Sequence, residues 1–182
     1  MQNYHCNYHN HHTYCHHPIC FIFLAISIIA AIIISIFITT LAPRRLDNLT
    51  AINTNVQEGN TTIIPLVLNE NRIQNGNNIE HFDTNSEIQI NDPGVYLISY
   101  NVTGSLRTGG TPAEFSIGLY LDNVLIPDTL LNSLVIPSGQ ETTLSNTTLV
   151  EVSNTPAFLT IQALATSSII YQDISISVVK IQ

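Results

Sequence analysis

The first twenty residues contain the side chains best suited to chemistry, because six of the seven histidines and all three cysteines of the chain lie there. Imidazole nitrogen and thiolate sulfur are the ligands that zinc prefers. The candidate ligands are His5, Cys6, His9, His11, His12, Cys15, His16 and His17. Folded zinc sites use tight pairs of such residues, and the three cysteines at positions 6, 15 and 20 do not form tight pairs.

The spacing therefore predicts an unstructured tail over residues 1–18 rather than a dedicated metal centre. Two alternatives stay open. A short tract rich in histidine and cysteine binds metal by composition alone, without an evolved geometry. A cysteine next to a membrane is also a site for acylation or for a crosslink between chains, and Cys6, Cys15 and Cys20 are the candidates.

The remainder of the chain predicts neither an enzyme nor a cofactor site. Its one histidine, His81, can be combined with Asp83 or Asp173 and a serine, but no nucleophile motif such as G-x-S-x-G accompanies it. Asp122 and Asp128 offer two carboxylates, whereas calcium takes about six to eight converging oxygen ligands. Glycine motifs that bind phosphates or dinucleotides are absent from the sequence.

An apolar run covers residues 19–42 and contains no charged side chain. Because about twenty such residues cross the hydrocarbon core of a bilayer as a helix, the run predicts a transmembrane helix. A cleaved signal peptide is the alternative. Such peptides have a shorter apolar region, a basic segment before it and a small-x-small cleavage site, and this segment has none of the three.

Charge is distributed unevenly along the chain. Beyond residue 45, three cationic residues, Arg72, Arg107 and Lys180, stand against all thirteen acidic ones, so this part carries a net charge of about −10. A phosphate backbone would be repelled, which excludes a nucleic acid as the partner. The same part contains no cysteine, so it must be stable through packing alone.

Two further regions follow the apolar run. Residues 43–60 are polar and lack periodicity, which predicts a flexible stalk. Residues 61–182 alternate β-branched and aromatic runs with clusters of Gly, Pro, Asn and Asp, a pattern typical of strands separated by turns. The predicted strands are 61–68, 86–90, 94–102, 114–121, 123–131, 140–152, 157–165 and 172–181. This spacing predicts an all-β domain, a jelly-roll sandwich of about 8–10 antiparallel strands.

Alternation within these strands predicts which side chains are buried. One face of the strand at 94–102 carries Tyr96, Ile98, Tyr100 and Val102, and one face of the last strand carries Ile174, Ile176 and Val178. Ser175 and Ser177 point to the opposite face. Pro65 lacks a donor for the sheet, so its strand is predicted to lie at an edge or to be broken. Asp122 and Asn123 predict a tight hairpin, because both residue types tolerate positive φ.

Three ordered motifs resemble those of a known fold family. "NDPGVYLISYNV" followed by "SIGLYLDNVLIP" resembles the globular heads of the complement recognition protein and its tumour-necrosis-factor-like relatives. The stretch 81–182 is most similar to the C-terminal domains of bacterial exosporium collagen-like glycoproteins. Gly94, Tyr96 and Ile98 fit the opening motif, 124–127 fits the hairpin motif and 174–181 fits the closing strand. The chain departs from that family by lacking a collagen stalk and by carrying the apolar run.

The resemblance implies a homotrimer in which one edge of each sandwich packs against its neighbours around a threefold axis. More apolar side chains are present than the alternation assigns to one sandwich, and a monomer that exposed them would carry a large apolar patch. Candidates for the trimer interface or the core are Tyr96, Ile98, Tyr100, Phe115, Leu119, Phe158, Tyr171 and Val179, together with Leu97.

The sequence as a whole therefore predicts a non-catalytic, membrane-anchored homotrimer. Its expected role is structural, as a surface-display protein in a spore or cell surface layer, anchored as a single-pass membrane protein through residues 19–42. The alternative is a ligand-binding or receptor-binding module of the same fold. That module would recognise a protein or glycan through apical loops at 105–112 and 137–140.

The face assignment generates a test. Tyr96→Ala should lower the free energy of unfolding by about 3–5 kcal/mol, because it removes a buried ring. Ser175→Ala should change it by less than about 0.5 kcal/mol, because this serine points away from the core. Thermal melts of the two variants measure the difference, and equal midpoints would contradict the assignment.

Overall fold

A computed structural model describes residues 25–35, 46–59, 61–82, 85–106, 111–136 and 139–182. The chain divides into two units, Met1–Arg44 and Arg45–Gln182. In the first unit, residues 25–35 are helical and their side chains are exposed. The tail over 1–18 lies outside the described residues.

The predicted transmembrane helix over 19–42 does not appear in the part of the chain that the structure describes. The helix there has the eleven residues 25–35, which rise about 16 Å, whereas the hydrocarbon core of a bilayer is about 30 Å thick. No helix among the described residues is long and apolar enough to cross a membrane. The predicted localisation as a single-pass membrane protein is therefore wrong on this finding. Residues 19–24 and 36–42 of the predicted segment lie outside the described residues.

The second unit consists of antiparallel strands. They are β1 (Asn48–Asn53), β2 (Gln57–Gly59), β3 (Ile64–Pro65), β4 (Glu70–Asn75), β5 (Ile79–His81), β6 (Ile88–Ile90), β7 (Gly94–Ser105), β8 (Ala113–Leu121), β9 (Val124–Leu125), β10 (Leu131–Ile136), β11 (Glu141–Val152), β12 (Ala157–Ala165) and β13 (Ile169–Lys180). From β6 onward the chain passes back and forth between two sheets, as in a jelly roll.

The two sheets have defined strand orders. Sheet A runs β11-β7-β13-β1-β4, with β2 also paired to β13. Sheet B runs β10-β8-β12-β6-β5, with β3 paired to β12 and β9 paired to β8. The predicted all-β jelly-roll sandwich is confirmed by this arrangement.

The stalk predicted over 43–60 is wrong at residues 48–53 and 57–59, which are strands. Residues 48–53 form β1, which lies inside sheet A between β13 and β4. Leu49 and Ala51 have no exposed surface and belong to the core. Residues 57–59 form β2, and a Cβ on Gly59 would overlap the ring of Tyr171. The domain therefore begins before residue 61, because β13 needs β1 as a partner.

The core lies between the sheets and contains the side chains that the alternation assigned to it. Tyr96, Ile98 and Val102 of β7 are fully buried, and Tyr100 is nearly so. The bulk of the remaining core comes from sheet B and from β13, and it includes Phe115, Ile117, Leu119, Leu159, Ile161, Tyr171, Ile174, Ile176 and Val178. Ser175 and Ser177 lie on the opposite face, as predicted.

Turns divide two of the predicted strands. Asp122 and Asn123 adopt φ values of 50° and 63° between the paired residues Leu121 and Val124, so the predicted hairpin is confirmed. The strand predicted over 123–131 is instead the two-residue β9, a turn, and the start of β10. The predicted strand over 61–68 is reduced to β3, which pairs with β12. After Pro65, the Leu66 amide donates to the Ile161 carbonyl of β12 at 2.8 Å, and Leu68 bridges to Asn85 instead.

Two buried phenols in the core differ in their hydrogen bonding. The Tyr96 hydroxyl donates to the carbonyl oxygen of Asp92. The Tyr171 ring lies 6.0 Å from that of Phe115, and its hydroxyl has no hydrogen-bond partner among the described residues. Burial raises the pKa of Tyr171 to about 12. Burial, and then the nearby carboxylates of Asp92 and Asp47, raise the pKa of Tyr96 to about 12.

The position of β1 gives a direct test of strand against stalk. Leu49→Ala should lower the free energy of unfolding by about 2–5 kcal/mol, because it leaves a cavity in the core. Leu46→Ala, two residues before the strand and 53% exposed, is the matched control and should cost less than about 0.5 kcal/mol. Urea unfolding curves of both variants provide the measurement. Equal midpoints would contradict the assignment of residues 48–53 to a core strand.

The two phenols predict opposite effects of Tyr→Phe. Tyr171→Phe removes an unpartnered buried hydroxyl and should raise the melting temperature, whereas Tyr96→Phe leaves a carbonyl without its donor and should cost about 1 kcal/mol.

The two buried phenols should also make stability depend on alkaline pH. Their contribution to the free energy of unfolding should be complete below about pH 10, the pKa of tyrosine in the unfolded chain. It should be lost as the pH rises through the folded pKa of about 12, because the unfolded chain ionises first.

In Tyr171→Phe this alkaline loss should be smaller than in the parent chain. Thermal melts between pH 8 and pH 12 measure both effects. A Tyr171→Phe variant that melts as low as Tyr96→Phe would show that the Tyr171 hydroxyl has a favourable partner.

Candidate interaction surfaces

The outward side of sheet A presents a regular surface across four neighbouring strands. Its side chains alternate with the core positions of β11, β7, β13 and β1, and the strand registers align them in rows. Three central rows are Leu149–Leu97–Val179–Asn48, Thr147–Ser99–Ser177–Thr50 and Ser145–Asn101–Ser175–Ile52. These twelve residues are called the sheet A face below. None of them has an ionisable side chain.

The first row contains an apolar strip across three strands. Leu149 is 59% exposed and Leu97 is 37% exposed, and the half-buried Val179 lies beside Leu97 on β13. Aliphatic side chains directly opposite each other on neighbouring strands are in contact distance. The strip is therefore a continuous apolar surface at one end of the sheet.

The other two rows are joined by hydroxyl and amide hydrogen bonds. Ser99 Oγ lies 2.9 Å from Thr147 Oγ1, and Thr50 Oγ1 donates to Ser177 Oγ at 3.2 Å. Ser175 donates to the Asn101 side-chain oxygen. Such cross-strand pairs contribute about 0.2–1 kcal/mol each, so the polar rows also hold the strands in register.

A hollow of about 450 Å³ opens onto these polar rows. Its walls are Ser99, Tyr100, Asn101, Ser145, Asn146, Thr147, Ser175 and Ser177. The hollow offers hydroxyl and amide groups without charge. It can therefore form neutral hydrogen bonds. Its walls contain no carboxylate, imidazole or amine that could act as a general acid or base.

The predicted interface or core candidates occupy three environments. Those with less than 3% of their surface exposed are Tyr96, Ile98, Tyr100, Phe115, Leu119 and Tyr171. Val179 and Leu97 lie on the sheet A face. Phe158 is 37% exposed and lies on β12 in sheet B. Of the predicted candidates, only Leu97 and Val179 therefore lie on the sheet A face.

Leu149, the most exposed member of the apolar strip, is not among the candidates predicted from the sequence. The sequence contains a signal that one of two neighbouring residues is exposed. Leu149 and Val150 are adjacent apolar residues in a strand, so they must point to opposite faces. With Val150 and Val152 in the core, Leu149 has to be on the outside.

His81, considered above for catalysis, is a buried residue of β5 with 4% of its surface exposed. Its Nδ1 lies 2.6 Å from Asn71 Oδ1, and its Nε2 lies 3.1 Å from the Asn85 carbonyl oxygen. Asn71 in turn donates from Nδ2 to the His81 carbonyl oxygen at 2.8 Å. Both ring nitrogens therefore contact oxygen atoms of asparagines, and these contacts link β4 to the segment after β5.

Several predicted sites fall wholly or partly outside the described residues. They include the His- and Cys-rich tail, Asp83, and half of each of the two predicted recognition loops at 105–112 and 137–140, namely residues 107–110 and 137–138. Within the described ranges, no group of three or more His, Cys, Asp or Glu side chains is placed to hold a metal ion. Asp122 instead accepts a hydrogen bond from the Phe158 amide at 2.9 Å through Oδ1.

Comparison with known proteins identifies the fold. No family model matches the chain, and neither does any curated protein sequence. The structure is similar to murine APRIL at pH 5.0, with a TM-score of 0.51 and 11% identity over 75% of this chain and 100% of that one. It is also similar to Eiger TNF from S. frugiperda, with a TM-score of 0.53 and 11% identity over 76% and 94% of the two chains. At this level of identity the likeness extends to the fold alone, and the domain has a tumour-necrosis-factor-like jelly-roll fold.

Proposed function

We propose that residues 46–182 form a non-catalytic assembly module that associates as a homotrimer through the sheet A face. The observation that carries the proposal is the combination of an exposed apolar strip with polar rows that contain no charge. Cores of protein interfaces are depleted of charged residues in the same way. The resemblance to complement-head and tumour-necrosis-factor-like domains, which implies a trimer, supports the same assembly.

Charge favours this face over the rest of the surface. The part of the chain beyond residue 45 carries about ten net negative charges, so two copies repel each other wherever acidic side chains would meet. On β11 the nearest carboxylates to the central rows are Glu141 and Glu151, at the two ends of the strand. Copies that approach through the sheet A face keep these groups at the rim, where water solvates them.

Desolvation costs little at the polar rows, because their hydroxyl groups already have partners within the sheet. Ser99, Thr147, Thr50 and Ser177 are paired with one another across the strands. Burial of a hydroxyl is costly mainly when its hydrogen bonds are lost. The apolar strip then supplies the favourable term, at roughly 25 cal/mol per Å² removed from water.

The copies form a trimer, and not an open polymer, only when the contacts between them close into a ring. A face on one copy that meets a different surface on the next makes a heterologous contact, and three copies close into a ring when the rotation is 120°. The role that we assign to the ring is structural, as a building block of a spore or cell surface layer, in line with the resemblance to exosporium domains.

The trimer is tested with the fragment 46–182, so that the apolar segment 19–42 cannot contribute to association. Light scattering should give three times the fragment mass for the parent sequence. Leu97→Asp combined with Leu149→Asp should reduce this to the mass of one fragment, because six carboxylates would be buried in the ring. Circular dichroism should show an unchanged strand content.

Leu164→Asp is the matched control. Leu164 has the same side chain and a similar exposure of 38%, but it lies on β12 in the other sheet, so this variant should remain trimeric. A parent fragment that is monomeric in dilute solution would refute the trimer. Dissociation of Leu164→Asp with no effect of the double variant would move the interface to sheet B.

A further inference from the structure

The segment 122–130, which connects β8 to β10 and is called the display segment below, exposes apolar side chains to solvent. Val124 is 69% exposed, Leu130 is 49% exposed and Leu125 is 37% exposed. Pro127 between them is also exposed. Monomeric soluble domains rarely keep such residues together on the surface unless they bind something.

The display segment is held rigidly by one buried residue. Thr129 has no exposed surface, and its hydroxyl accepts from the Leu119 amide at 3.2 Å and donates to the Ile126 carbonyl at 2.7 Å. The Tyr100 hydroxyl donates to the Thr129 carbonyl, and the Ile126 amide donates to the Leu119 carbonyl at 2.9 Å. The exposed side chains are therefore presented in a fixed geometry, which lowers the entropy cost of binding.

Gly118 on β8 makes room for this presentation. A Cβ at Gly118 would lie 2.8 Å from Leu125 Cδ1, 3.2 Å from Tyr120 Cε2 and 3.6 Å from Leu130 Cδ1. The three side chains thus converge over one point of sheet B that carries no side chain of its own. They form one apolar surface, whose residues come from β8 and from the segment that folds over it.

Acidic side chains border this surface. Asp122 and Asp128 lie within the display segment, and both are exposed. The sequence from 113 to 136 contains no Lys or Arg. Of the cationic side chains in the described ranges, Arg72 is paired with Glu70 and Lys180 with Asp92. A partner that neutralises the border must therefore bring its own positive charge.

We infer that the display segment is a docking site for a basic segment of another protein, with an apolar side chain flanked by lysine or arginine. The apolar side chain lies against Leu125, Leu130 and Tyr120, and the flanking cations lie near Asp122 and Asp128. The site is on sheet B and the proposed self-association surface is on sheet A. Docking therefore goes beyond the proposed trimer and does not depend on it.

Three synthetic peptides and the full 182-residue chain test the inference. The peptides are Lys-Lys-Leu-Phe-Lys-Lys, Lys-Lys-Ser-Ser-Lys-Lys and Glu-Glu-Leu-Phe-Glu-Glu, added to isotope-labelled protein whose amide signals are followed by NMR. Only the first should bind saturably, with shifts concentrated at residues 118–131. Equal binding of the serine peptide would overturn the inference, because charge alone would then suffice. Absence of saturable binding by the first peptide would also overturn it.

Variants separate the two components of recognition. Leu125→Ser with Leu130→Ser should weaken binding of the first peptide at least about tenfold, the effect of losing one buried aliphatic contact. Asp122→Asn with Asp128→Asn keeps the shape and the tolerance of positive φ, and it should weaken binding and reduce its dependence on salt. Leu164→Ser, also on sheet B, is the control and should bind as the parent does.

Two readouts separate a lost docking contact from unfolding and from a change in self-association. Thermal melts of each variant should remain within a few degrees of the parent, since the altered side chains are exposed. Light scattering should show the same mass for the parent and for Leu125→Ser with Leu130→Ser. A fall in mass in that variant would mean that a second copy of the chain covers the surface, and it would overturn docking of a basic partner.

Discussion

The pairing of β7 with β11 on one side and with β13 on the other is the constraint on which the rest of the domain depends. Each of these strands has twelve residues, and β7 and β11 pair along their full length. Because side chains alternate, this register places Tyr96 and Ile98 in the core and Leu97 and Ser99 on the sheet A face. A slip by one residue would exchange the two sets completely. The core and the proposed interface are thus two results of one register.

The same strand also positions the display segment. Tyr100 is a core residue of sheet A, yet its hydroxyl reaches the Thr129 carbonyl beneath the exposed segment of sheet B. A buried phenol needs a hydrogen-bond partner, and a turn whose carbonyl would otherwise be buried needs a donor. The Tyr100 hydroxyl and the Thr129 carbonyl meet both needs with one hydrogen bond. The packing between the sheets therefore fixes the segment that connects β8 to β10. Exposure of Val124 and Leu130 is therefore a property of the folded core and not of a loose loop.

The sequence predicted the long strands because each of them has enough alternating residues to fix its faces. β7, β11, β12 and β13 lie close to their predicted ranges for this reason. β1 was missed because Leu49 and Ala51 are its only fully buried apolar side chains, and two alternating residues among Asn and Thr do not differ from a polar linker. Its place is set by β13 and β4, which are distant in sequence.

The candidate surfaces were harder to predict than the strands, for two physical reasons. Alternation says that a residue points outward, but it does not say which outward residues become neighbours, and Leu97 meets Leu149 only through the pairing of β7 with β11. The display segment was predicted as a strand because "NVLIPDTLL" is rich in apolar residues. Asp128 adopts a φ of 60° there, which no regular strand contains, and the chain turns instead.

The distribution of charge accounts for how the two proposed contact surfaces can coexist on one acidic domain. Mutual repulsion between copies is weakest where ionisable groups are absent, and the sheet A face meets that condition in three adjacent rows. The display segment keeps carboxylates at its border, so a second copy of the acidic chain is repelled there while a basic partner is attracted. If the carboxylates of the border lay on the sheet A face instead, self-association would bury like charges and the display segment would lose its selectivity. In the two proposals, the same net charge therefore directs identical copies to sheet A and a different partner to sheet B.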